Sequence, residues 1–225
     1  TKLMTALVFL ENNPGWEKEI IITEADQANG GRIYLGKGEK ITARDLFYSA
    51  LVGSDNQASL ALARATGLPR QNFVQAMNEK AKEFGMEKTQ FTEPTGLDPA
   101  NVSTATDLIK LINQALNNQE IKKALTTKSY TYTVINKSQH QLTMINTDRL
   151  LDSFLNNATS GYQIIGAKTG SLGEAGYCFV AKIQKDNHPI IIASLGSVSS
   201  ADRFQEIKSL ASWAFDNYQW PEKSN

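Results

Sequence analysis

Apolar residues run almost unbroken from Leu3 to Leu10 (LMTALVFL), which predicts a buried helix ended by the Pro-Gly turn in ENNPG. EIIIT (Glu19 to Thr23) and GRIYL (Gly31 to Leu35) are short and rich in β-branched residues, and predict strands. Helical spacing returns in ITARDLFYSALVG, with Thr42 as N-cap, Leu46, Phe47 and Ala50 on the buried face, and Gly53 as the stop. NQASLALARATG is expected to form the next helix. RQNFVQAMNEKAKEFG follows, with Phe73, Ala76, Met77 and Ala81 at helical intervals and Gly85 at its end. Thr104 and Asp107 resemble a capping box that opens STATDLIKLINQALNN.

The second half changes period. SYTYTVIN and HQLTMIN alternate across a KSQ turn and predict a hairpin. QIIGAKTG and GYCFVAKIQ read as strands, the latter turning at Asp186-Asn187 into PIIIASLG. A last helix, ADRFQEIKSLASWAFDNY, is expected to bury Phe204, Ile207, Leu210, Ala211 and Ala214. A helical middle, then antiparallel strands, then a closing helix makes the fold class α+β, one sheet with helices packed against it. No linker, low-complexity tract or repeat interrupts residues 1–225, so one domain is expected, with no second domain after it.

Composition narrows the partners more than the chemistry. Hydrophobic content of 41% and charged content of 20% are ordinary for a globular protein. Lys+Arg and Asp+Glu both number 23, which gives no reason to expect nucleic acid or an anionic membrane as partner. No apolar run approaches the ~20 residues of a spanning helix. Cys178 is the single cysteine, so an internal disulfide and a cysteine-based metal cluster are excluded. Within GYCFVAKI it is expected to be a small buried hydrophobe. His140 (KSQHQ) and His188 (KDNHP) lie far apart and are expected in surface loops, away from any triad or metal. No metal or other cofactor is expected.

Three pieces of sequence could carry chemistry. Ser54-Asp55-Asn56 follows the expected helix stop, and helix starts favour those residue types with no function implied. Ala167-Lys168-Thr169-Gly170 stands at the expected end of a central strand, where an ammonium and a hydroxyl are well placed to hold an anion. A plain strand-to-turn junction would explain the same string. Lys2 sits just inside an apolar helix; such a lysine usually keeps its ammonium in water. Buried near another cation such as Lys168, it would instead lose basicity and serve as a general base.

Together these pieces match a joint signature. S-x-x-K, S-D-N and K-T-G mark penicillin-binding proteins and class A β-lactamases. The chain has the lysine of the first at Lys2, then Ser54-Asp55-Asn56, then Lys168-Thr169-Gly170, in that order. TKLMTA resembles the tail of the S-x-T-K-[LM]-M-T-A segment of serine-type D-Ala-D-Ala carboxypeptidases, the low-molecular-weight penicillin-binding proteins. ITARDLFYSALVGSDNQASLALA, MEKTQFTEPTGLDPANVSTATDLIKL and IIGAKTGSLGEAGYCFVA are similar to further segments of that family, so the resemblance covers nearly the whole chain. Asn146-Thr147-Asp148-Arg149-Leu150-Leu151 departs from the family's N-x-N-x-L-L, with aspartate in the second Asn position.

The resemblance implies a penicillin-binding/β-lactamase-like fold and an acyl-serine mechanism on peptidoglycan stem peptides ending in D-Ala-D-Ala, with β-lactams as inhibitors. It makes Lys2 the base, Ser54 a proton relay and Asn56 the holder of the substrate backbone. Lys168 and Thr169 would take the terminal carboxylate, Gly170 would let the peptide approach the strand, and the Ser171 N–H would form half an oxyanion hole. The motif's serine belongs two places before Thr1, so the sequence is expected to be a piece cut between nucleophile and base, and inactive as it stands. An extracytoplasmic bacterial setting is implied.

Other readings remain open. Thr1 could be an N-terminal nucleophile with its own amine as base. A class A β-lactamase shares the motifs, and Glu93-Pro94 resembles its deacylating E-x-x-L-N stretch, although Leu97 stands where the Asn belongs. A DD-endopeptidase would use the same site, and a non-catalytic relative would bind peptidoglycan.

Overall fold

The computed structural model describes residues 1–220; the PEKSN stretch expected after the last helix lies outside them. Helix α1 (Lys2–Glu11) is apolar on nearly all sides because it runs through the middle of the helical half, where Leu3, Met4, Ala6, Val8 and Phe9 are buried. Around it pack α2 (Ala43–Leu51), α3 (Asn56–Ala65), α4 (Arg70–Glu83) and α5 (Ala105–Ala115). The rings of Phe9, Trp16 and Phe47 meet there with centroids 5.3 to 6.0 Å apart.

Local chemistry sets the helix ends. Thr42 and Thr104 each accept a backbone N–H three residues on, from Asp45 and Asp107. The box at Thr104 is only half closed, because the Asp107 carboxylate turns away to accept from Lys88 N and the Thr89 hydroxyl. STATDLIKLINQALNN forms α5, and a helix that the pattern did not predict follows it. Asn118 accepts from Glu120 N and Ile121 N and starts a separate α6 (Gln119–Thr126).

The strands fall into three sheets, where the pattern suggested one. β1 (Glu19–Ile21) pairs with β2 (Lys40–Thr42), and the expected hairpin, β3 (Ser129–Thr133) with β4 (Gln141–Ile145), stands alone. GRIYL forms no strand. Its backbone serves the Ser-Asp-Asn turn: Tyr34 N donates to Asp55 Oδ2 at 2.7 Å, and Asn56 N donates to Arg32 O at 2.9 Å. The main sheet has the order β5 (Tyr162–Leu172), β6 (Gly176–Lys185), β7 (His188–Ser197), all antiparallel. Asp186 and Asn187 make the expected tight turn with φ of 49° and 66°.

Helix α7 (Asp202–Asn217) covers one face of this sheet, with Phe204, Ile207 and Ala211 against Phe179, Ala181 and Ile183. Leu210 is exposed and Ala214 only half-buried, so the helix rests on a narrower stripe than its sequence suggested. Val180, on the opposite face of β6, belongs to the helical core.

One irregularity decides how the two halves meet. Ile164 pairs with Ile183 and Gly166 with Lys182, which leaves Ile165 as an extra residue on β5. Without that bulge Lys168 would share a face with Ile164 and point at α7. With it, Ala167 joins Ile164 on the α7 side and Lys168 turns toward the helices. His140 lies in the hairpin turn beside Glu39, and His188 opens β7. No helix among the described residues is long and apolar enough to cross a membrane.

Candidate active site

A cleft of about 280 Å³ lies where the helical half meets β5, and all of Lys2, Ser54, Asn56, Lys168, Thr169, Gly170 and Ser171 line it. Lys2 enters from the first turn of α1. Its Nζ donates to Asn56 Oδ1 at 2.6 Å and to Thr95 O at 2.7 Å. Burial lowers its pKa to about 8, with Glu93 and Asp55 pulling the other way. Desolvation, and not a neighbouring cation, therefore lowers the basicity of Lys2.

The Ser-Asp-Asn turn works through its middle residue. Asp55 is fully buried and caps α3: Oδ1 accepts from Ala58 N at 2.8 Å and Oδ2 from Tyr34 N at 2.7 Å. Its neighbours Ser54 and Asn56 are thereby held facing the cleft. Ser54 has a φ of 58°, a left-handed conformation that a non-glycine residue adopts at a cost. Gly53, expected as a left-handed stop, does not take that role. A Cβ on it would lie 2.7 Å from Met144 Sδ and 3.1 Å from Ser49 O, so close packing calls for glycine there. Asn56 is pinned at both ends, since its Nδ2 donates to Gly30 O at 3.0 Å. Gly31 fits over it only because it lacks a Cβ, which would sit 2.1 Å from Asn56 Nδ2. One amide hydrogen and one lone pair of Asn56 remain for a ligand.

From the other wall, Lys168 Nζ donates to Ser54 Oγ at 2.9 Å. Burial first, then Lys2, Arg32 and Arg203, hold its pKa well below that of a free lysine. Thr169 Oγ1 donates to Thr147 Oγ1 at 2.6 Å, and the Gly170 carbonyl accepts from Arg203 Nη1 at 3.0 Å. The Lys-Thr-Gly string lies within β5, and β5 is an edge strand, where the sequence suggested the end of a central one. A Cβ on Gly170 would meet only Cys178 Cβ, at 3.8 Å, so packing within the protein does not demand glycine here. Cys178 is half-buried and lines the cleft, a correction to its expected place in the core.

Arg203 was not singled out by the sequence, and Thr147 and the Thr95–Leu97 turn stood in quoted segments without an assigned role; all of them line the cleft. Arg203 sits in no spacing that marks it. Glu93 anchors that turn: its carboxylate accepts from Thr95 N and Oγ1, both at 2.6 Å, from Leu97 N at 3.1 Å, and also from Gly96 N and Asn101 Nδ2. Burial works to raise its pKa, but these donors outweigh burial and hold it below the usual carboxylate value.

Comparison with known proteins gives the family. A family model described as D-alanyl-D-alanine carboxypeptidase, of the S11 peptidases, matches residues 1–199. The chain belongs to that family. This S11 peptidase is 39% identical to a D-alanyl-D-alanine endopeptidase of Haemophilus influenzae, with 93% of this chain and 70% of that one covered. It is 29% identical to the D-alanyl-D-alanine carboxypeptidase DacF of Bacillus subtilis, with 97% and 56% covered. The crystal structure of the Streptomyces K15 DD-transpeptidase matches the S11 chain with a TM-score of 0.83 at 30% identity, covering 96% of this chain and 86% of the other. The fold is thus that of the penicillin-binding DD-peptidases.

Proposed function

We propose that the protein is a serine-type DD-peptidase acting on peptidoglycan stem peptides that end in D-Ala-D-Ala, with β-lactams as acylating inhibitors. Residues 1–225 then form one transpeptidase-like catalytic domain, working outside the cytoplasm where those peptides lie. The observation that carries this reading is the juxtaposition of Lys2 and Lys168, from α1 and β5, bonded respectively to Asn56 and Ser54 of one turn.

The nucleophile in this reading is a serine two places before Thr1. Lys2 in its neutral form takes the serine proton, and the alkoxide attacks the carbonyl carbon of the penultimate D-Ala. The Ser171 N–H and the serine's own N–H hold the oxyanion; one such donor is typically worth about 10²–10³ in rate. Collapse breaks the peptide bond, the leaving amine gains a proton through Ser54, and water later hydrolyses the acyl-serine ester. Asn56 orients the peptide, and Lys168 and Thr169 hold the terminal carboxylate against β5.

The Glu93 contacts weigh against the β-lactamase alternative. A carboxylate already accepting from four residues has little capacity left to activate a deacylating water. The test is mass spectrometry of the protein extended upstream through the motif serine, after incubation with benzylpenicillin. A stable adduct on the serine-bearing peptide, lost in Lys2→Ala, is expected. No adduct, or rapid steady-state turnover of penicillin, would overturn the reading.

A further inference from the structure

A second cavity, of about 240 Å³, opens beside the first and shares Arg32, Thr147 and Arg203 with it. It begins at the carboxylate end of the site: Thr147 is bonded to the Thr169 hydroxyl, and Arg203 to the Gly170 carbonyl. Its charged lining is lopsided. Arg32, Arg149, Arg203 and Lys128 face Asp148 and Asp152, and Lys128 is paired with Asp152 at 2.5 Å. That leaves guanidiniums opposed only by Asp148, and among the described residues none of those arginines is in a salt bridge. Crowding shows on Arg203, whose pKa is lowered first by burial and then by Arg149, with Arg32 adding to it.

Two buried polar atoms of this lining have no partner: Arg203 Nε and Asp148 Oδ2. Arg203 is 92% buried when its exposure of 8% is subtracted from the whole, so an unpartnered N–H there carries a desolvation cost of its own. A ligand acceptor would satisfy it.

We propose that this cavity is a subsite for an anionic group, a carboxylate, carried by the leaving half of the substrate, and that Arg149 and Arg32 hold it. This rests on the DD-peptidase reading above, which places the leaving residue's own carboxylate at Lys168 and Thr169. A leaving D-Ala ends at that point and does not reach the second cavity. A leaving residue with an acidic side chain does, and places a second negative charge among the guanidiniums. The subsite therefore selects for leaving groups larger and more acidic than D-Ala.

The test uses the protein with its upstream serine and matched peptides of the form diacetyl-Lys-D-Ala-D-Xaa. Xaa is D-2-aminoadipate or its side-chain amide, which is neutral and nearly isosteric. Wild type is expected to favour the acid over the amide in kcat/KM, by about tenfold for a charge-assisted contact. Arg149→Ala should bring that ratio close to one, with Arg149→Lys between. Asp148→Asn removes the opposing acid and should raise it. Each variant is normalised to its own rate on the amide, so a general loss of activity does not enter. A wild-type ratio of one or below, or a ratio that ignores Arg149, overturns the subsite while hydrolysis of the amide keeps the peptidase reading. No hydrolysis of either peptide, with no penicillin adduct, overturns both.

Discussion

Lys168 and Ser54, 114 residues apart in the chain, are joined by a 2.9 Å hydrogen bond from the lysine ammonium to the serine hydroxyl. The bond spans the cleft between the two halves of the molecule and holds the serine oxygen toward the Lys168 nitrogen. The backbone at Ser54, with a φ of 58°, is held by the buried Asp55 that follows it and not by this bond. Removing the hydroxyl should therefore affect chemistry more than folding. In the serine-bearing protein, Ser54→Ala is expected to slow acylation by benzylpenicillin about 10²-fold or more, the usual scale for losing a proton-transfer group. Ser54→Gly relieves the backbone yet lacks the same oxygen, and should be equally slow. Stopped-flow acylation of both variants checks this, and a fast Gly variant would show that strain alone was at issue.

The lowered pKa of Lys2 makes a pH prediction. In the proposed mechanism the neutral amine is the reactive form, and its fraction rises with pH through the value of about 8 set by burial. Second-order acylation should fall roughly tenfold per unit below pH 7 and level off above pH 9. Lys2→Arg should be inactive across the range, because a guanidinium does not deprotonate. A pH profile flat between 6 and 8 would remove Lys2 from the role of base.

Glu93 supports the turn that supplies Lys2 with its Thr95 carbonyl partner. Glu93→Ala would leave several N–H groups without an acceptor and should destabilise the protein by about 2–4 kcal/mol. Because its folded pKa is depressed, its contribution is present above the unfolded value of 4.5 and lost as pH falls through the folded one. Thermal unfolding from pH 7 down to pH 3 should show a steeper acid loss in wild type than in Glu93→Gln.

Asp148 behaves in the opposite sense. Burial raises its carboxyl to about 6 from 3.8, ahead of the opposing Leu150 N–H, Lys168 and Arg203. The ionised form is therefore a cost to the folded state at neutral pH, a cost that disappears as pH falls from about 6 to about 3.8. Asp148→Asn keeps an acceptor for Leu150 N and removes the charge. It should stabilise the protein at pH 7 on the order of 2 kcal/mol and flatten that part of the pH dependence. Calorimetry at pH 7 and pH 4 compares the two, and an unchanged melting temperature at pH 7 would refute the assignment.

Gly166 is where α6 and its approach press on β5. A Cβ there would lie 2.4 Å from Leu116 Cδ2 and 3.4 Å from Leu125 Cδ1. Gly166→Val should cost about 1–3 kcal/mol through overpacking. Because Lys168 is two residues further along the same face, the variant should also weaken acylation, and stability and acylation measured together distinguish this from simple unfolding.

Much of this was legible from residues alone. The helices with Thr42 and Thr104 at their starts, the hairpin, and the turn at Asp186-Asn187 follow from local rules of capping and alternation, and the structure keeps them. The strings at Lys2, Ser54 and Lys168 could be picked out because residue types in a fixed order are a property of the sequence, and in the structure all three line one cleft. GRIYL misled, since β-branched composition does not reveal that its N–H and C=O groups are claimed by Asp55 and Asn56. Cys178 misled for a similar reason: an apolar run does not say which of its faces borders a cavity.

What only the tertiary structure decided is direction and environment. Strand alternation repeats every two residues, so the extra Ile165 reverses the faces of everything after it, and nothing in QIIGAKTG announces a bulge. That reversal aims Lys168 at Ser54. Burial is likewise a sum over neighbours distant in sequence, and it lowers Lys2 and raises Asp148. The second cavity gathers Arg32, Arg149 and Arg203 from separate segments with no motif between them. Short-range pattern is enough to say which groups this chain carries, but their charge states and partners depend on contacts that form only when the chain folds.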